Sequence, residues 1–103
     1  MSVLYSSAAT VVLRQTVTTP GTAQQVTAHV VPDGLAVKVT ARPSNTGNFY
    51  VAFSAAAAQS STGAREVFSF GRSSDFYVDD SSRLWVDADN SSDILEIRIP
   101  KKR

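Results

Sequence analysis

From Thr10 onward the chain is written in period two, and this alternation constrains the fold more than any other feature. Leu35, Val37, Val39 and Ala41 alternate with Lys38, Thr40 and Arg42, the pattern of a strand with one face buried and one face wet. Val11, Leu13 and Val17 fall on one side of an earlier strand, with Arg14, Thr16 and Thr18 opposite, and Thr19-Pro20-Gly21 stops it. Val26, Ala28 and Val30 form a second set, which runs into Pro32-Asp33-Gly34. There Pro presets φ, Asp bonds its own backbone and Gly accepts positive φ, so a hairpin into the Leu35 strand is expected. Pro43-Ser44-Asn45-Thr46-Gly47 supplies the next turn, and Phe49, Val51 and Phe53 share a face beyond it. The strands on either side of this turn are expected to pair antiparallel.

Ser54 to Ala64 breaks the alternation with small residues. Its four consecutive alanines favour a helical turn, but the stretch is short and rich in Ser and Gly, so an exposed loop is expected. Strands resume around Glu66 to Phe70, Phe76 to Val78, Leu84 to Ala88 and Ile94 to Ile99. Between them lie the turn clusters Gly71-Arg72-Ser73-Ser74, Asp79-Asp80-Ser81-Ser82 and Asp89-Asn90-Ser91-Ser92. Short strands at near-regular spacing, with no long helix, predict an all-β fold: an antiparallel β-sandwich or barrel of about seven or eight short strands. At 103 residues there is room for one core. Residues 10–103 are therefore read as a single β domain and residues 1–9, which lack the pattern, as a short N-terminal arm.

Charged residues make up 18% of the chain, below the roughly 25% of typical soluble domains, and Ser and Thr fill the gap. A surface of hydroxyls repels neighbours weakly and suits packing against other protein. The net charge of +1 provides no field for nucleic acid or membrane, and the terminal Lys101-Lys102-Arg103 reads as a solvated end. Without cysteine there is no disulfide framework, thiol nucleophile or cysteine metal site. The N-terminal segment Met1 to Ser7 lacks the basic and apolar regions of a signal peptide, and no apolar run approaches the ~20 residues of a membrane span. A soluble protein made in the cytoplasm is expected.

The stretch from Leu35 to Val51, LAVKVTARPSNTGNFYV, resembles a pattern of small bacteriophage virion structural proteins, in which an alternating strand ends in a "KA-x-P-x-NTG" turn and enters a "YVG" strand. Phe76-Tyr77-Val78 and Leu84-Trp85-Val86-Asp87-Ala88-Asp89 look like the closing part of the same proteins, where a "LYVDA" segment precedes an acidic turn and a last strand. The resemblance covers roughly the last two-thirds of the chain. Ala52 stands where those proteins often have Gly, and Gly71-Arg72-Ser73 replaces their "PGES"-like turn. It implies a head decoration or capsid cement protein, a head-tail completion protein, or a tail or fibre module. The expected location is the virion, and the expected partners are the capsid or other virion proteins and further copies of the chain in a trimer or ring.

Catalysis would need a nucleophile and base, or a pair of tuned carboxylates, within reach of each other. The lone His29 lies in a Thr/Val strand and reads as an outward-facing residue, and no serine sits in a Gly-x-Ser-x-Gly elbow. A non-enzymatic protein without cofactor is expected. Asp75, Asp79, Asp80, Asp87, Asp89 and Asp93 fall in or beside adjacent loops; they read as turn formers or as oxygen ligands for a hard cation, and no EF-hand spacing supports a metal site. Trp85 and Asp87 must face away from Leu84, Val86 and Ala88, and Tyr50 and Tyr77 alternate against apolar neighbours in the same way. Tyr50, Tyr77 and Trp85 are the expected interface residues, with Val3, Leu4 and Tyr5 of the arm beside them. Two other readings remain open. The aromatics could stack on sugar rings in a carbohydrate- or receptor-binding module, with Trp85 and the Asp-rich loops as the site, or a second sheet could cover them, Trp85 above all, and make them core.

Overall fold

The computed structural model describes residues 10–61 and 64–101, so the arm with Val3, Leu4 and Tyr5 lies outside the described residues. Two four-stranded antiparallel sheets face each other, open at their edges, which makes the fold a sandwich and not a barrel. The strands are β1 (Val11–Gln15), β2 (Gln24–Gln25), β3 (Val37–Ala41), β4 (Phe49–Ala52), β5 (Glu66–Phe68), β6 (Ser73–Phe76), β7 (Trp85–Ala88) and β8 (Leu95–Ile99). One sheet has the order β1-β8-β3-β6 and the other β2-β7-β4-β5. Only the β4–β5 connection stays within one sheet; every other connection crosses between the two.

The inward positions read from the alternation do build the core. Val37, Val39 and Ala41 of β3 and Leu95, Ile97 and Ile99 of β8 meet Phe49 and Val51 of β4 and Val86 and Ala88 of β7. Leu84, Phe68, Phe76, Val17, Val26 and Val31 close the ends. Burying each such side chain contributes about 1.5–3 kcal/mol for the larger aliphatics and Phe, which is the main force holding a chain without disulfides together.

Three sequence-based expectations about pairing and extent fail, each for a physical reason. First, β3 does not pair with β4: it lies between β8 and β6, with Val39 opposite both Ile97 and Ser74. The turn from Pro43 to Gly47 carries the chain across to the other sheet. Second, Val26 to Val30 forms no hairpin with β3. Val26 is buried, but Val30 is 70% exposed and makes only an isolated bridge with Asp80. Pro32 to Gly34 still makes its turn, with the Leu35 N–H donating to the Pro32 carbonyl at 3.1 Å and Gly34 at φ 79°. Third, the last strand of the Phe70–Val78 region begins earlier than its apolar residues suggest: β6 uses Ser73, Ser74 and Asp75 against Thr40, Val39 and Lys38, and ends at Phe76. A polar, short strand suits a sheet edge, where it discourages pairing with other chains.

The alanine-rich stretch is also more ordered than a loop. Ala55–Gln59 forms a helix, α1, whose N-cap Ser54 accepts the Ala57 N–H at 3.2 Å. Ala58, fully buried, packs with Ala23 and Ala52, and Ala55, Ala57 and Trp85 close around them. Alanine has no bulk beyond Cβ, so a short helix approaches the outer face of the β2-β7-β4-β5 sheet closely. A third layer thus covers part of that face.

Candidate functional site

Most of the loop chemistry that the sequence displays is engaged in holding the fold. The Asn45-Thr46-Gly47 turn clasps the β7–β8 connection. Asn45 Nδ2 donates to the Ile94 carbonyl at 2.9 Å, and its Oδ1 accepts the Ile94 N–H at 3.0 Å. The buried Asp93 carboxylate accepts the N–H groups of Thr46 at 3.0 Å and Gly47 at 2.8 Å. Burial alone would raise the Asp93 carboxyl, but hydrogen bonds from Thr46, Gly47 and Asn90 outweigh it and hold it below the ordinary carboxylate range. Gly47 is required by close approach: a Cβ there would stand 2.7 Å from Asn90 Nδ2 and 2.8 Å from Asp89 Cβ.

The other carboxylates are similarly placed. Buried Asp87 accepts the N–H of Gly21 at 2.9 Å and that of Ala88 at 2.8 Å. Asp89 accepts the Asn48 N–H at 2.9 Å and the Tyr50 hydroxyl at 2.8 Å. Asp80 caps the 3-10 turn Ser81–Arg83 through the Ser82 N–H and hydroxyl, and these bonds hold its carboxyl below the usual range. Asp79 pairs with Arg83 at 2.9 and 3.2 Å, which lowers its carboxyl in the same way. Asp75 faces Lys38 across the β3–β6 ladder. Among the described residues no three His, Asp or Glu side chains converge to hold a metal ion.

At the other end of the sandwich, residues 26–31 run along 79–84 as an irregular ribbon continuing the β2–β7 ladder. The Val26 N–H donates to the Leu84 carbonyl at 3.0 Å, the Ser81 N–H to the His29 carbonyl at 3.0 Å, and the Val31 N–H to the Asp79 carbonyl at 2.9 Å. Buried Ser81 fills the irregular step: its Oγ accepts the His29 N–H at 2.8 Å and donates to the Thr27 carbonyl. What His29 contributes here is backbone, not imidazole.

The three expected interface aromatics occupy three different settings. Tyr50 lies on the outer face of its sheet, with the Arg65 guanidinium 3.7 Å from its ring centroid and its hydroxyl tied to Asp89. Burial, then the hydrogen bond to Asp89 and its charge, raise the Tyr50 hydroxyl above its ordinary value. Trp85 lies on the same face opposite Ala52 and is partly covered by the alanine cluster. Tyr77, just beyond the end of β6, is 76% exposed. The structure therefore brings Tyr50 and Trp85 to one face and leaves Tyr77 apart.

An open groove of about 500 Å³ lies where β4 ends and β7 begins, lined by Gln25, Phe53, Asp79, Asp80, Ser82, Arg83 and Trp85. Trp85 and the Asp-rich turn were legible as candidates. The alternation of Phe49 and Val51 puts Phe53 on their face. The strand stops at Ala52, however, and Phe53 is 63% exposed, with a T-shaped contact to Phe76 at 6.2 Å between ring centroids. Gln25 and Arg83 carried no signal in the sequence, since their places depend on the ribbon and the 3-10 turn. No helix among the described residues is long and apolar enough to cross a membrane. No family model, curated protein or solved structure matches the chain.

Proposed function

We propose that the chain is a bacteriophage virion structural protein, a capsid decoration or cement protein or a minor head protein, which stabilises the particle through protein–protein contacts and turns over no substrate. The observation that carries this reading is a set of large apolar side chains left exposed on or beyond the ends of the two edge strands β5 and β6. The Phe68–Phe76 ring contact, 6.1 Å between centroids, places the edge strands β5 and β6 along the same side. On or just beyond these strands stand Val67 at 43%, Phe70 at 64% and Tyr77 at 76% exposure. Large apolar side chains exposed beyond the ends of edge strands suit burial against a neighbouring subunit through side chains, while the polar β6 backbone edge is left unpaired among the described residues. The resemblance of the Asn45-Thr46-Gly47 and Leu84-to-Asp89 stretches to phage virion proteins supports the same reading.

In this reading Tyr77 is a contact residue, Val67 and Phe70 join it, and Tyr50 also braces the fold through Asp89 and Arg65. The test is the mass of the protein in solution by light scattering over a concentration series, together with co-sedimentation with capsids of the encoding phage. A trimer, a ring or saturable capsid binding is expected, with loss in the Phe70→Ser/Tyr77→Ser double variant while far-UV circular dichroism is unchanged. A monomer that does not bind capsids sinks the proposal.

A further inference from the structure

We infer that the groove between Phe53 and Trp85 is a binding site for a neutral saccharide. The inference does not rest on the assembly reading, because none of Val67, Phe70 and Tyr77 lines the groove.

The argument begins with the two aromatics. Phe53 and Trp85 both line the groove; Phe53 is largely exposed, and Trp85 is braced by Ala23, Ala52 and Ala58. A braced indole beside an exposed phenyl ring offers flat apolar surface at little cost in side-chain order. The polar groups of the wall are held in place as well. Asp79 and Arg83 bind each other through two bonds, Asp80 is fixed by Ser82, and Gln25 Nε2 donates to the Ser82 carbonyl at 2.9 Å. Both Asp80 bonds to Ser82 fall on Oδ1, and a carboxylate accepts at about four sites, so Asp80 retains accepting capacity.

Charge then selects the ligand class. Asp79 and Asp80 on the wall disfavour an anion, while Arg83 neutralises Asp79 and leaves Asp80, among the described residues, as the one wall carboxylate without a cation beside it, whose open acceptor sites suit a hydroxyl donor. A purely apolar ligand would strip water from carboxylate, amide and guanidinium without replacing their hydrogen bonds. A sugar ring meets each demand. Its C–H face stacks on Phe53 and Trp85, and its hydroxyls both donate to Asp80 and accept from Gln25 and Arg83. The volume of about 500 Å³ lies within the range of small-molecule sites.

The chain has a single tryptophan, so Trp85 emission reports on the groove directly. The full chain is titrated with glucose, galactose, mannose, N-acetylglucosamine, rhamnose and their oligosaccharides, and with delipidated bacterial O-polysaccharide, by emission and by calorimetry. A saturable response to at least one neutral sugar is expected, and the oligosaccharide and polysaccharide arms distinguish a free ligand from a cell-surface one. Phe53→Ala should weaken it about tenfold, the size of one lost aromatic contact. Arg83→Ala, at an exposed pair that adds little to folding, should weaken it while leaving thermal stability near wild type. Capsid binding by Arg83→Ala should stay as in wild type, which separates this inference from the assembly reading. Silence of both readouts across the panel overturns the inference. So does a response to lysine or arginine amide alone, or an emission shift that follows protein concentration without sugar, which would give the groove to a second copy.

Discussion

One carboxylate does much of the joining between the β3–β4 crossing and the β7–β8 connection. Asp93 accepts two backbone N–H groups from Thr46 and Gly47, and replacing it with Ala removes both of these part-buried, charge-assisted bonds. The expected cost is about 1–3 kcal/mol at neutral pH, read as a lower urea midpoint. The pH dependence has a definite sign. Because the Asp93 carboxyl is held below its unfolded value, the unfolded chain binds the proton first as pH falls. Its contribution is complete above the ordinary carboxylate pKa of about 4 and is lost as pH drops through the lower folded value. Wild type should therefore lose stability in acid, and Asp93→Asn should start lower at neutral pH and show a shallower acid slope. Equal slopes in the two proteins would show that Asp93 is not held as described. Gly47→Ala, which drives a Cβ into Asn90 and Asp89, should cost about 1–3 kcal/mol by overpacking.

Among the elements, α1 depends most on its neighbours. Five residues are far fewer than the ~12–15 at which an isolated helix becomes even marginal in water, so its order comes from docking. Ser54 caps it, Gln59 Oε1 accepts the Ala23 N–H at 2.7 Å, and Arg65 donates to the Ala58 carbonyl at 3.0 Å. Ala58→Leu should lift the helix from Ala52 and Trp85 at a cost of about 1–3 kcal/mol. The expected readout is a red shift of Trp85 emission with the β signal in circular dichroism retained; unchanged emission would mean that α1 does not shield the indole. This element also shows where sequence reading runs out. Alanine content signals a helical turn, but much of the partner that stabilises it, Ala23 and Trp85, lies more than twenty residues from α1 in the chain and belongs to tertiary packing. The strands β3, β7 and β8 were legible because alternation states which side chains turn inward. It is silent on which strand lies alongside, so adjacency in sequence points β3 to β4, whereas the fold sets it between β8 and β6. The candidate site divides in the same way: Trp85 stood out by its place in the alternation, while Phe53 was hidden by an apparent continuation of a strand that ends one residue earlier.

At the scale of the whole molecule, nearly every ladder joins strands distant in sequence, from Val11 with Ile99 to Val37 with Phe76. Such pairings must close long loops before they gain contacts, so folding in milliseconds to seconds is expected in a stopped-flow refolding experiment, and a microsecond phase carrying the full amplitude would contradict the topology. The most consequential feature is the position of β8, the last strand, between β1 and β3. During synthesis on the ribosome, β1 and β3 emerge with no strand between them, and that sheet has no middle until Leu95–Ile99 has left the tunnel. A copy cut short by a premature stop before Leu95 would therefore lack one half of the sandwich and remain a substrate for cellular proteases.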